Sequence, residues 1–245
     1  MTSLSEALFA EWSKSETIIR SALDGTMGET VEEGESAAAI LGDFAFFAGV
    51  PNKKLILVTL SEREFLIAVP QNEAWERCIE NTLGESAKRV TRFAFRKDTA
   101  FDREHLSRLS ERVPDGFRVR RIDEEMYLEC KRHDFSKDFV SNFASFREYE
   151  RHGVGFVAIK GEDGSLAAGA SSYSAYKGGI EIEIDTHPDS RRRGLAECLA
   201  ARLIVECLDR GIYPSWDAQN KVSAHLAERL GYVPCGEYTA YEVRR

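Results

Sequence analysis

Long apolar runs are missing from this chain of 245 residues. No stretch approaches the roughly twenty uninterrupted apolar residues of a membrane-spanning helix. The start, Met1-Thr2-Ser3-Leu4-Ser5-Glu6, lacks the basic-then-apolar order of a secretory signal. Both absences predict a cytoplasmic protein without a membrane partner. Metal-ligand patterns are missing as well: His105, His133, His152, His187 and His225 stand in no H-E-x-x-H or cysteine–histidine spacing, so no metal is expected. The five cysteines, Cys78, Cys130, Cys198, Cys207 and Cys235, are odd in number and scattered, with no C-x-x-C pair. That excludes a disulfide framework and predicts reduced thiols, with Cys198 and Cys207 as ordinary helix filler. Basic charge is in deficit, 33 Lys and Arg against 41 Asp and Glu for a net −8, which argues against nucleic acid as a partner. No repeat or low-complexity segment interrupts the chain.

Against that acidic background one turn is basic. Ile180-Glu181-Ile182-Glu183-Ile184 alternates apolar and acidic residues at the period of a half-buried strand, and Pro188 ends it near His187. Leu195, Ala196, Leu199, Ala200, Leu203 and Cys207 then recur at helical spacing. Arg191-Arg192-Arg193-Gly194 therefore opens a helix. There the first amide N–H groups lack intrahelical acceptors and the helix dipole is positive, so a diphosphate can lie against bare backbone while arginines supply charge. The plain alternative is a solvated arginine turn. A second unit follows, with Ile212 to Ala218 as a short strand, Asn220 as N-cap, Val222, Leu226 and Leu230 as an apolar stripe, and Gly231 as a left-handed helix end.

Arg191-x-x-Gly194-x-Ala196 after a strand resembles the acyl-coenzyme A motif of the GCN5-related N-acetyltransferase (GNAT) superfamily, and Asn220 to Tyr232 resembles the second half of its cofactor site. Ile184 to Pro188, Arg193 to Ala196, Tyr213 to Asp217 and Leu230 to Tyr232 look like the branch that includes the bacterial zwittermicin A resistance acetyltransferases. The resemblance implies acetyl-CoA as cosubstrate, with Ile184, Thr186, Arg191, Arg192, Arg193, Gly194, Leu195, Ala196, Asn220 and Ser223 around it. It also implies a bulge in the motif strand, with a backbone N–H between Ile184 and Thr186 facing the thioester oxygen.

The expected fold is α/β (α+β). A C-terminal acyltransferase domain over 113–245, with a mixed, mostly antiparallel sheet, follows an N-terminal α+β region over 1–112 that serves as scaffold or substrate-side lid. In the first region Leu4 to Leu23 reads as a helix and Gly25 to Gly34 as a loop. Phe44–Phe47, Leu55–Leu60, Glu64–Val69 and Arg89–Arg96 read as strands, and 72–83 as a helix. In the second, Phe117–Ile122 reads as a strand, Glu124–Lys131 and Phe139–Arg151 as helices, and Gly155–Lys160 and Ser165–Ala175 as a hairpin.

Acetyl transfer to an amine needs a base for the amine, a donor for the thioester oxygen and stabilisation of the leaving thiolate. Glu183 and Glu181 are candidates to orient or deprotonate the amine; their plain alternative is a polar sheet face. Asp185 is read on the other side of the strand. The tyrosine that many members of the superfamily carry as acid falls here on Ala227. Tyr241 and Tyr238, on a C-terminal strand, are candidate substitutes, with structural roles as the alternative. Trp216 and Asp217 are candidate substrate contacts, Trp216 also a core residue, and His225 a solvent-side residue. These features predict an acetyl-CoA-dependent N-acetyltransferase acting on a small amine-bearing metabolite or antibiotic, with a homodimer as a possible assembly. A noncatalytic acyl-CoA-binding regulator and a protein N-acetyltransferase are the rival readings.

Overall fold

Helix α1 (Leu4–Phe9) begins on a capping box, in which the Ser3 hydroxyl accepts from the Glu6 N–H at 3.1 Å and the Glu6 carboxylate accepts from the Ser3 N–H at 2.7 Å. The computed structural model describes residues 2–61 and 63–245; Met1, in the predicted N-terminal region, and Glu62 lie outside the described residues. The chain forms two compact units, Met1–Ala94 with Cys235–Arg245, and Phe95–Pro234. The first thus includes a C-terminal segment that the sequence reading assigned to the second.

In the first unit the expected single helix over 4–23 is broken. A 3-10 turn at Trp12–Lys14 separates α1 from α2 (Thr17–Asp24), and Trp12 stands edge-on to Phe46, 5.4 Å between ring centres. The expected glycine-rich loop contains strand β1 (Glu29–Glu33), followed by β2 (Ser36–Leu41) and β3 (Phe44–Gly49). Leu55 to Leu60 forms no strand. It belongs to α3 (Lys53–Leu60), whose cap Asn52 accepts from the Lys54 and Leu55 N–H groups. An apolar run has no period to choose between helix and strand, and the cap decides it. Then come β4 (Phe65–Pro70), α4 (Glu73–Leu83) and β5 (Ala87–Phe95).

The second unit contributes α5 (Arg103–Ser110), β6 (Phe117–Arg121), α6 (Glu124–Lys131), α7 (Phe146–His152), β7 (Gly155–Lys160), β8 (Leu166–Tyr176), β9 (Gly179–Thr186), α8 (Leu195–Asp209), β10 (Tyr213–Ser215), β11 (Asp217–Ala218) and α9 (Lys221–Arg229). The chain returns to the first unit as β12 (Pro234–Arg244), which runs antiparallel to β4, giving that unit a sheet order β1-β2-β3-β4-β12-β5. Its core includes Phe47, Leu55, Leu66, Trp75, Ile79 and Tyr241.

The expected helix over Phe139–Arg151 is also broken: a 3-10 turn at Lys137–Phe139 precedes α7. Backbone and side-chain groups of the gap are engaged elsewhere. Asn142 donates to the Tyr173 carbonyl at 3.0 Å, and the Phe143 carbonyl accepts from the Tyr127 hydroxyl at 2.7 Å. The sheet of this unit is ordered β10-β9-β8-β7-β6. Its pairs are antiparallel from β6 to β9, while β9 and β10 are parallel, the mixed and mostly antiparallel arrangement expected. Helix α8 lies against β7, β8, β9 and β10.

Candidate active site

The parallel pair β9/β10 is short. Tyr213, Pro214 and Ser215 face Gly179, Ile180 and Glu181, and there the pairing ends, whereas β8 accompanies β9 through to Thr186. Residues 212–218 are thus two strands separated at Trp216 rather than the single strand expected. Beyond Glu181 one edge of β9 has lost its neighbour. The His187 N–H donates to Ala167 on the β8 side at 2.8 Å, so the two-residue period turns the N–H groups of Asp185 and Glu183 toward β8 and that of Ile184 toward the open edge. The Thr186 N–H is held by the Asp185 carboxylate at 2.7 Å. The expected bulge lies elsewhere. The irregularity falls in β8, where Ser172 faces Ile182, Ser174 faces Glu181 and Tyr173 is the extra residue, while β9 is regular from Ile182 to Thr186.

Regular β9 places Glu181, Glu183 and Asp185 on one face, because side chains repeat every second residue. This corrects the expectation that Asp185 faces away. Their opposite numbers are Ser174, Ser171 and Gly169, and a Cβ on Gly169 would collide with the Phe139 ring, so this face lies under the Lys137–Phe139 turn. Glu183 is half-buried beside Ser171, whose hydroxyl is bonded to that of Tyr149 at 2.8 Å. Asp138, next to Phe139, has its pKa raised by burial and by the Asp185 carboxylate, against the pull of Lys137. Glu181 is buried. Its carboxylate lies 3.8 Å from the Lys97 ammonium, which also donates to the Trp216 carbonyl at 3.2 Å. Lys97 was missed because it stands in a connecting segment with no pattern around it.

Past β9 the chain turns through Pro188–Ser190 into α8. Arg191 is tied back to the Thr186 carbonyl at 3.1 Å, Arg193 lies 5.6 Å from the Phe117 ring centre, and Arg192 adopts φ +61°. Gly194 caps the helix at φ +82°, and a Cβ there would meet no protein atom within 4 Å. The turn is thus exposed at Arg191–Gly194, and Gly194 faces open space at the start of α8. The Ser190 hydroxyl is buried under this turn and makes no hydrogen bond.

In the second half-site Asn220 accepts from the Ser223 N–H at 2.9 Å, and the Ser223 hydroxyl accepts from the Trp216 indole at 3.2 Å. Trp216 is buried and tilted against Tyr232, which fits its core alternative; Asp217 beside it is half-buried. The apolar stripe of α9 is Ala224, Ala227 and Leu230, while Val222, expected in it, is 82% exposed. Tyr241 is a further correction: it is fully buried in the core of the first unit, its hydroxyl donates to Glu80 at 2.6 Å, and burial and that carboxylate push its pKa up. His225 is exposed, as expected. All five cysteines are free thiols, and burial pushes Cys130 up to about 12. Among the described residues no cluster suits a metal, and no helix is long and apolar enough to cross a membrane.

The model of the GNAT acetyltransferase family matches residues 6–241. The chain belongs to this family. A GCN5-related N-acetyltransferase-like protein from Streptococcus suis is 41% identical with a TM-score of 0.92, each chain being covered to 98%. The curated relative YdfB of Bacillus subtilis, an uncharacterised N-acetyltransferase, is 27% identical over 69% of this chain; the chain spans 63% of its length. A GNAT acetyltransferase structure from Novosphingobium aromaticivorans shares the fold, with a TM-score of 0.60 at 16% identity, over 96% of this chain and 98% of its own.

Proposed function

We propose that this GNAT protein is an acetyl-CoA-dependent N-acetyltransferase whose acceptor is the amine of a small, cationic metabolite or antibiotic. The observation that carries the reading is the parting of β9 and β10 after Glu181, with β9 running on into the exposed turn at Arg191–Gly194. The cosubstrate's diphosphate suits the turn: it offers unpartnered helix amides, three exposed arginines and, beneath them, the unbonded Ser190 hydroxyl. Arg191, Arg192, Arg193 and the amides of Gly194, Leu195 and Ala196 hold the diphosphate, while Asn220 and Ser223 border the second half-site. Acetyl-CoA supplies the acyl group as a thioester. The Ile184 N–H donates toward the thioester oxygen from the open edge of β9, and Glu183 takes the proton of the attacking amine. Asp185 and Asp138 add negative charge on the same face, which favours a cationic acceptor.

A second reading, a noncatalytic acyl-CoA-binding protein, is favoured by one observation: the position of the family's acid tyrosine is a fully buried alanine, Ala227. Calorimetry with acetyl-CoA, desulfo-CoA and ATP, followed by an amine screen for free thiol, tests both. Selective acetyl-CoA binding with amine-dependent thiol release is expected; binding without release with any amine or peptide supports the second reading, and no binding defeats both. Glu183→Gln should lower kcat about a hundredfold while leaving acetyl-CoA affinity unchanged. Normal turnover in that variant removes Glu183 from the mechanism.

A further inference from the structure

The last pair that joins β9 to β10 is Glu181 with Ser215, and the residue after Ser215 is Trp216. One ammonium reaches β9 and the residue that follows β10 at that point. Lys97 donates to the Trp216 carbonyl at 3.2 Å and lies 3.8 Å from the Glu181 carboxylate. The two side chains are only 11% and 4% exposed. Around them stand the Ser174 and Ser215 hydroxyl-bearing positions on the neighbouring strands, and Tyr232, whose ionisation the Glu181 charge opposes. Enclosing two charges is costly, and an apolar pair of equal volume commonly serves stability as well or better. Stability alone therefore does not account for the pair. Its position does: it lies at the apex of the opening, where a thioester reaching in from the Arg191–Gly194 turn would end.

We propose that Lys97 is a positioning residue for acyl-CoA binding and transfer, its ammonium fixing the spread between β9 and β10 by gripping Glu181 on β9 and the carbonyl of Trp216, the residue that follows β10. This rests on the acetyl-CoA reading above. It also divides the labour between the two glutamates of the strand. Glu181 is an anchor, its carboxylate 3.8 Å from the ammonium, and Glu183, half-buried further along the strand, is the base.

The test separates spread from simple stability. Lys97→Met and Lys97→Met/Glu181→Leu are compared with wild type and Lys97→Arg by thermal melting and by calorimetry with acetyl-CoA. The double variant removes both charges and is expected to melt near wild type, which keeps the comparison on folded protein. Acetyl-CoA affinity should nevertheless fall about tenfold in both Met variants, because the apex is no longer pinned. Lys97→Arg, which retains charge and donors, should recover most of it. Wild-type affinity in a folded double variant would overturn the role of Lys97 while leaving the acetyl-CoA reading intact. A wild-type protein that binds no acetyl-CoA would overturn that reading, and the role of Lys97 with it.

Discussion

Gly194 carries two demands at once, one of backbone and one of space. Its φ of +82° lies in the region that costs other L-residues about 1–2 kcal/mol, and the direction a side chain would take is open. Gly194→Ala should therefore lower stability by about 1 kcal/mol, measured by denaturant titration. Gly194→Glu, which sets bulk and negative charge where the diphosphate is to lie, should abolish acetyl-CoA binding in calorimetry; unchanged affinity would defeat the site assignment. Gly194, Arg191 and Asn220 were readable in the sequence because their roles are local: a helix start, a turn and a cap. Lys97 was not, since its partners Glu181 and Trp216 are brought to it only by folding. Tyr241 misled for the converse reason. Its hydroxyl looks reactive in a sequence, but the fold gives it to Glu80 inside a core.

Helices with caps and a clear stripe were legible as elements, and apolar runs without a period were not. Helix α6 spans the expected Glu124–Lys131, capped by Asp123, which accepts from the Met126 N–H at 3.0 Å, whereas Leu55–Leu60 is helical through its cap at Asn52 and its burial of Leu55, Ile56 and Thr59. Helix α9 shows how phase follows contact rather than hydrophobicity. Small Ala224 and Ala227 face inward while larger Val222 is left outside, which permits close approach of the helix to its support. A tyrosine cannot be added there at no cost. Ala227→Tyr should destabilise the protein by about 1–3 kcal/mol through overpacking and add no turnover. A stable variant with faster thiol release would show instead that the acid role is merely vacant.

Linkage gives the test for the chain as a single object. A ligand that binds only folded protein stabilises it by mass action, so acetyl-CoA at a hundred times its Kd should contribute about 2.7 kcal/mol. The transition of the unit formed by Phe95–Pro234 should then rise by about 5–10 °C, seen in scanning calorimetry. Gly194→Glu should show no such rise. A rise in that variant equal to wild type would place the ligand elsewhere. The division of the chain also carries a lesson about distance along it. Cys235–Arg245 follows the acyl-CoA motifs directly yet belongs with residues 1–94, because β12 pairs with β4.

From the sequence alone came the alternating strand Ile180–Ile184, its stop at Pro188, the basic turn, the glycine at the helix start and the capped second helix. Each depends on neighbours a few residues apart, where backbone geometry, capping and periodicity act directly. Folding in three dimensions alone settled where β9 and β10 part, which strand holds the bulge, that Glu181 is locked by Lys97 while Glu183 is half-open, and that Trp216 and Tyr241 are buried. Those outcomes depend on which distant segments arrive at the same place, and the energy of burying a charge or a ring is set only once its surroundings are assembled.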